Sequence, residues 1–224
     1  MVVGQQFEDL KAGLTGYSAF GQGRKEKSWN PLQWMVMLHP KAKNEANPIL
    51  YKADKLELIK SETIDINPGG RFFIGSWLPR IFTAGIFKEK GTNKNFCVIN
   101  THLDKDSSSI RNKQVKMILN YVSKNANNIP VVIMGDFNTG IEGEFKEIFE
   151  REGFNFARDK AKTNEGPQET RTGWNNEQLK SIDHIMVKNM DVSKFAVIEN
   201  KEGQYPSDHR PVIAEISLNG VPST

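Results

Sequence analysis

Short runs rich in β-branched and aromatic residues recur along the whole chain, and they set the strongest limit on what it can fold into. They run from Tyr17 to Gly21, Ile49 to Lys52, Leu56 to Ile59, Ile81 to Phe87, Asn95 to Asn100, Pro130 to Met134, Ile182 to Val187, Lys194 to Ile198 and Pro211 to Ser217. Each is short, and each reads as a strand. Helical periodicity appears between some of them. After Ser107-Ser108-Ser109, the residues Ile110, Val115, Ile118, Leu119 and Val122 recur at helical spacing, with Lys and Asn on the other face. A second helix is expected from Glu144 to Arg151, burying Phe145, Ile148 and Phe149 and stopping at Gly153. A third is expected from Gln5 to Leu14, with Phe7, Leu10 and Leu14 on one face and Gly16 after it. The pattern is mixed α/β with strands dominant, and a chain of 224 residues can bury a substantial core as a single domain spanning 1–224. The stretch from Lys160 to Lys180 is polar and irregular, as functional or mobile loops are.

Several function classes drop out on composition. No apolar run reaches the ~18 residues of a membrane-spanning helix, and the first residues lack the zones of a signal peptide. As written the chain reads as a cytoplasmic monomer without a membrane span, and a leader upstream of Met1 would make it secreted or periplasmic. The single cysteine, Cys97, sits in the apolar run Phe96-Cys97-Val98-Ile99, where a small buried thiol is expected rather than cysteine chemistry. The formal charge of +3 comes from lysines scattered among acids and gives only weak support to a polyanionic partner.

Chemistry-bearing residues gather where apolar strands end. Asn100-Thr101-His102-Leu103-Asp104 follows one strand, and a lone histidine in that position is more often structural than catalytic. Gly135-Asp136-Phe137-Asn138 follows Val131-Val132-Ile133-Met134. If the backbone stays extended, Asp136 and Asn138 point two oxygen ligands the same way, which suits a hard cation such as Mg²⁺. The same residue types also make turns. Ser207-Asp208-His209-Arg210-Pro211-Val212 leads into the last strand, and Ser181-Ile182-Asp183-His184-Ile185 opens an earlier one.

Taken together and in this order, these segments resemble the signature of the endonuclease/exonuclease/phosphatase superfamily, the deoxyribonuclease I-like fold. The resemblance runs from Gly4 onward, and Glu8 to Leu14, Gly23-Arg24, Asn47 to Tyr51 and Leu78-Pro79-Arg80 make it closest to an uncharacterised bacterial subgroup. It implies a four-layer α/β/β/α sandwich with the site at one edge, and metal-dependent hydrolysis of phosphodiesters or phosphomonoesters by in-line attack of water. It also implies Mg²⁺ or Mn²⁺ as cofactor, and either nucleic acid or a small phosphoester as substrate. Carried over to this sequence, Asp136 and Asn138 would contact the metal, the phosphate or the nucleophilic water, and Asp208 would be a metal ligand. His209 would hold the scissile phosphate or accept a proton, with Asp183 fixing its tautomer. His102 would be a second catalytic histidine and Glu45 the acid that orients it.

Two departures from the family pattern fall in the N-terminal third. Relatives begin with a strand carrying an Asn and then a Gln-Glu pair whose glutamate binds metal. Here Met1-Val2-Val3-Gly4 resembles the end of the second strand and Gln5-Gln6-Phe7-Glu8 the helix after it, so the fold is expected to be N-terminally incomplete. Weak metal binding would follow, and with it a rival reading: a catalytically impaired homologue acting as a binding module. The second departure is an insert at about 25–44 that contains Trp29, Trp34 and Met35 to Leu38. It reads as an apolar run that packs where the first strand would lie or is poorly formed, rather than as a substrate-facing aromatic loop.

Overall fold

The computed structural model describes residues 2–27, 44–68, 78–201 and 203–218, so most of the 25–44 insert lies outside the described residues. Contacts divide the chain into two compact units, Met1–Ile129 and Pro130–Thr224. In the first, a short strand β1 (Val2–Val3) leads into helix α1 (Gly4–Gly13), followed by β2 (Tyr17–Phe20), α2 (Arg24–Lys27), β3 (Glu45–Ala46) and β4 (Ile49–Lys52). β1 pairs antiparallel with β3, and β2 with β4. α1 forms close to where expected but ends at Gly13, and both Leu10 and, just past its end, Leu14 are exposed.

The rest of this unit is an antiparallel meander of β5 (Leu56–Asp65), β6 (Ile81–Glu89) and β7 (Asn95–His102). β5 runs well beyond the expected end at Ile59. A register shift between Leu58 and Lys60 interrupts the alternation that would have announced the second half. Helix α3 (Ser108–Asn125) lies on this sheet, where Tyr121 stacks edge-on against Phe82 and donates its hydroxyl to Glu62. Ser107 caps α3 by accepting from the Ile110 amide. The helix also holds the chain just past β7, because the fully buried Gln114 accepts the Asp104 amide at 2.8 Å. Asp104 itself is buried and accepts the amides of Asp106 and Ser107, so it is a loop-forming acid. Cys97 is fully buried, and burial pushes its thiol up to about 12, as an inert core cysteine requires.

In the second unit, β8 (Val131–Asp136), β11 (Asp183–Lys188) and β9 (Asn155–Phe156) form an antiparallel sheet in which β11 is central. A second sheet places β12 (Asp191–Val197) between β13 (Val212–Ser217), antiparallel, and β10 (Thr163–Glu165), parallel. Helix α4 (Gly143–Arg151) buries Phe145, Ile148 and Phe149, and a four-residue helix α5 (Ala157–Lys160) follows β9. α4 ends as the sequence implies: Gly153 takes φ 79° and the Phe154 amide reaches back to the Phe149 carbonyl at 3.0 Å.

α4 and β9 close over one aromatic cluster. Phe149 contacts Phe137, Phe145, Phe154 and Phe156, largely edge to face, and Phe137 belongs to the strand-end motif itself. This core is what anchors the loop after Asp136. Phe149→Ala should therefore lower stability by about 3–5 kcal/mol, whereas exposed Ile59→Ala should change it by no more than about 0.5 kcal/mol. Urea unfolding of the two variants measures both.

Candidate functional site

The antiparallel register of β8 and β11 places Asp183 directly opposite Asp136, and the amide of Phe137 continues the ladder to the Ile182 carbonyl at 2.8 Å. Two carboxylates therefore leave the same end of one sheet. Beyond Asp136 the chain is not extended: Asn138 has φ 52°, and its amide donates to Asp136 Oδ1 at 2.8 Å. The extended arrangement considered for Asp136 and Asn138 is thus replaced by a turn closed by the aspartate, a conformation asparagine tolerates. His184, also in the second unit, secures this turn. It is buried between Phe137 and Phe156, and its Nε2 lies 2.8 Å from the Thr139 carbonyl. Burial holds its pKa below the ordinary value, so it serves as a neutral donor.

Asp183 is clamped on two sides. Its Oδ2 accepts the Thr170 hydroxyl at 2.6 Å and lies 2.8 Å from His209 Nδ1. The Thr170 oxygen in turn accepts the amides of Ile182 and Asp183 at 3.1 and 3.0 Å. His209 is held through its backbone: its amide donates to Ser207 Oγ, and the next amide, of Arg210, donates to the Thr170 carbonyl. Burial by itself depresses the His209 pKa, but the hydrogen bond and charge of Asp183, with the charges of Asp136 and Asp208, outweigh it and leave the imidazole above its usual range. Donor atoms of Asp136, Asp183 and His209 all lie within 4.8 Å of one another. Hard carboxylate oxygens with an imidazole suit a divalent cation. Asp208 is not in that group. Its carbonyl accepts the amides of Thr172 and Gly173, which fixes the backbone beside His209.

Behind Asp183 lies a cavity of about 20 Å³ lined by Thr170, Ser181, Asp183 and His184 among others. That is room for one water and not for a substrate. A larger hollow of about 380 Å³ in the first unit, lined by Phe20 to Gln22 and Ser61 to Ile64, contains none of the residues that the motifs single out.

In the first unit the expected pairing of Glu45 with His102 does not form among the described residues. The Gly23 bridge to Ala46 brings Arg24 beside Glu45, and Arg24 Nη1 takes Glu45 Oε2 at 2.5 Å. Arg80 Nη1 approaches the same oxygen at 3.9 Å and lies 3.0 Å from both ring nitrogens of His102. Equal distances place that nitrogen over the ring face, because an in-plane position midway would collide with Cε1. The contact sets a guanidinium nitrogen against the imidazole. Arg80 is buried, its amide held by Asn67 Oδ1 and its carbonyl by the Ile66 amide. Glu45 thus acts first on two arginines, and Arg80 is what meets His102. Arg24 and Arg80 appeared in the sequence only as points of resemblance, and Thr170 carried no local signal at all.

Two expected outcomes follow. Glu45→Ala should lower stability by about 3–5 kcal/mol, since it leaves a buried guanidinium without its carboxylate, and Arg24→Met added to it should recover part of the loss. Denaturant titration of both variants reads the difference. His209 should titrate above 6.5 in chelator-treated protein by NMR of its ring protons. Its raised pKa stabilises the fold fully below pH 6.5, and that contribution is lost as pH rises through the folded value. Asp183→Asn should pull the midpoint down and remove this pH dependence.

The endonuclease/exonuclease/phosphatase family pattern matches residues 16–209. No curated protein matches the chain. Among solved structures, a functionally unknown conserved protein from Enterococcus faecalis is 28% identical with a TM-score of 0.80, covering 95% of this chain and 81% of its own. The endonuclease/exonuclease/phosphatase from Bacteroides vulgatus is 27% identical with a TM-score of 0.83, over 97% and 82%. A mannosyl-6-phosphatase from Bacteroides thetaiotaomicron, 22% identical with a TM-score of 0.77 over 95% and 81%, shares the fold. The mixed α/β fold is that of these deoxyribonuclease I-like proteins, and the chain belongs to the endonuclease/exonuclease/phosphatase family.

Proposed function

We propose that this protein hydrolyses phosphoester bonds with the help of a divalent cation, Mg²⁺ or Mn²⁺, by in-line attack of water. The observation that carries this reading is the cluster of Asp136, Asp183 and His209, a carboxylate-oriented imidazole of raised basicity beside a second carboxylate. Its family consists of nucleases and phosphatases, and one structural neighbour is a mannosyl-6-phosphatase.

The roles divide by what each side chain already does. Asp183 Oδ2 is engaged by Thr170 and His209, so Asp183 acts as the orienting acid. With Nδ1 turned to Asp183, Nε2 is the ring position that exchanges a proton with water or donates to a phosphate oxygen. Asp136, with Asn138 and Asp208, would hold the cation. When bound, that cation would neutralise phosphate charge and favour the departing alkoxide. Protonated His209 adds a second positive charge for an anionic substrate, while its neutral form serves as base. In the first unit His102, 3.0 Å from Arg80 Nη1, is proposed as a second catalytic histidine, with Glu45 acting on it through Arg80.

Hydrolysis of bis-p-nitrophenyl phosphate and p-nitrophenyl phosphate with Mg²⁺ or Mn²⁺ tests this. His209→Ala and Asp136→Ala should each lower kcat/KM about a hundredfold or more, and a chelator should abolish turnover until metal is restored. Turnover unchanged in both variants would sink the assignment and point to a contaminating hydrolase.

A further inference from the structure

The segment from Thr170 to Lys180, bridged to His209 through Arg171, presents a large aromatic side chain to solvent, and nothing in the hydrolytic scheme uses it. Trp174 is 66% exposed, the highest exposure among the large hydrophobic residues described. An indole left so far out of the core normally has a partner that covers it. The exposure does not come from a loose loop. The amide of Thr170 takes the Lys180 carbonyl, Arg171 and Lys180 exchange hydrogen bonds, and the Gln178 amide closes the loop onto the Thr172 carbonyl at 3.0 Å. The loop is then fixed to the histidine motif, since the amides of Thr172 and Gly173 both donate to the Asp208 carbonyl and Arg171 bridges His209.

Gly173 makes the turn possible. It takes φ +68°, where a side chain would be strained, and a Cβ there would lie 3.3 Å from Gln178. From the other side the buried Arg210 braces the tip, with Nη1 on the Glu169 carbonyl and Nη2 on Asn176 Oδ1 at 3.2 Å. Trp174 is thus a preorganised platform, one residue beyond amides that hold Asp208.

The residues that follow Trp174 along the tip indicate the ligand's chemistry. The tip continues Asn175-Asn176-Glu177-Gln178, amides plus one carboxylate, and the Asn175 side chain donates to Glu177. Amides and carboxylates exchange hydrogen bonds with hydroxyl groups, and an indole covers an apolar ring face. A carboxylate at the tip repels a second phosphate, which disfavours a polynucleotide continuing across it. Resting on the phosphoesterase reading, we infer that Trp174 stacks on the sugar ring of the alcohol being released, and that the substrate is a small sugar monophosphate. Trp174 is a specificity-determining residue and takes no part in bond breaking.

The test compares glucose 6-phosphate with glycerol 3-phosphate, which has a phosphomonoester but no ring. Trp174→Ala should lose about tenfold more in kcat/KM on glucose 6-phosphate than on glycerol 3-phosphate, and Trp174→Phe should keep most of the preference. Equal losses on both probes would overturn the inference. Independently of turnover, the indole N–H signal of Trp174 should shift on adding glucose 6-phosphate and stay put with glycerol 3-phosphate. If the signal shifts and no phosphoester is hydrolysed, the sugar platform stands and the hydrolase reading falls. If hydrolysis proceeds and the signal does not move, the platform is refuted. A larger shift with a single-stranded oligonucleotide than with glucose 6-phosphate at equal concentration also refutes it, in favour of base stacking.

Discussion

Two carboxylates held opposite each other across an antiparallel strand pair repel, and the rest of the candidate site can be understood as what makes that juxtaposition tolerable. Asp136 and Asp183 are register partners at the end of β8 and β11, and like charges in that relation destabilise a sheet. The second unit answers with separate neutralising groups. Asp136 takes the Asn138 amide, while Asp183 takes the Thr170 hydroxyl and the His209 imidazole. Against the lowering effect of burial, the hydrogen bond to Asp183 and the charges of Asp183, Asp136 and Asp208 raise the pKa of His209, and the same concentration of negative charge suits a cation. Structural cost and chemical capacity are one electrostatic fact.

The scaffold around this pair is built to resist relaxation. If the loop after Asp136 could swing, the two carboxylates would separate into water. Phe137 prevents this by inserting into the aromatic cluster of α4 and β9, and buried His184 ties Thr139 from the other side. A neutral histidine does here what a protonated one could not, since its burial disfavours charge. Two neighbouring histidines of one chain thus have opposite shifts, set by whether a carboxylate or an aromatic cluster surrounds each.

Much of this was legible in the sequence, and what was not has identifiable physical causes. Apolar strand cores are local patterns, so β4, β6, β7, β8 and β13 lie close to where the residues imply. β5 was cut short because the bulge near Leu58 breaks its alternation, and β3 and β9, two residues each, are too short to carry a period. The contact of Asp183 with His209 was read from family resemblance, and the structure brings the two together. Glu45 and His102 were expected to pair by the same reasoning, but Arg24 and Arg80 reach Glu45 first. Long-range competition for one carboxylate leaves no trace in spacing. Thr170 was invisible for a similar reason: a lone hydroxyl in a polar stretch looks like any other until the fold sets it between two strands.

The clamp at Thr170 also has a bearing on the order in which the molecule matures. It joins Asp183, 13 residues on, through a side chain and Arg210 through a backbone amide, so the second unit's cluster is assembled from three separate segments of the chain. Such contacts form late, because loops must close before they are rewarded. Asp136 and Asp183 precede His209 along the chain, and until that histidine docks the two acids lack their imidazole neighbour. The acidic pair therefore carries an electrostatic imbalance that the docking of the His209 segment offsets, so a late folding step completes the candidate site.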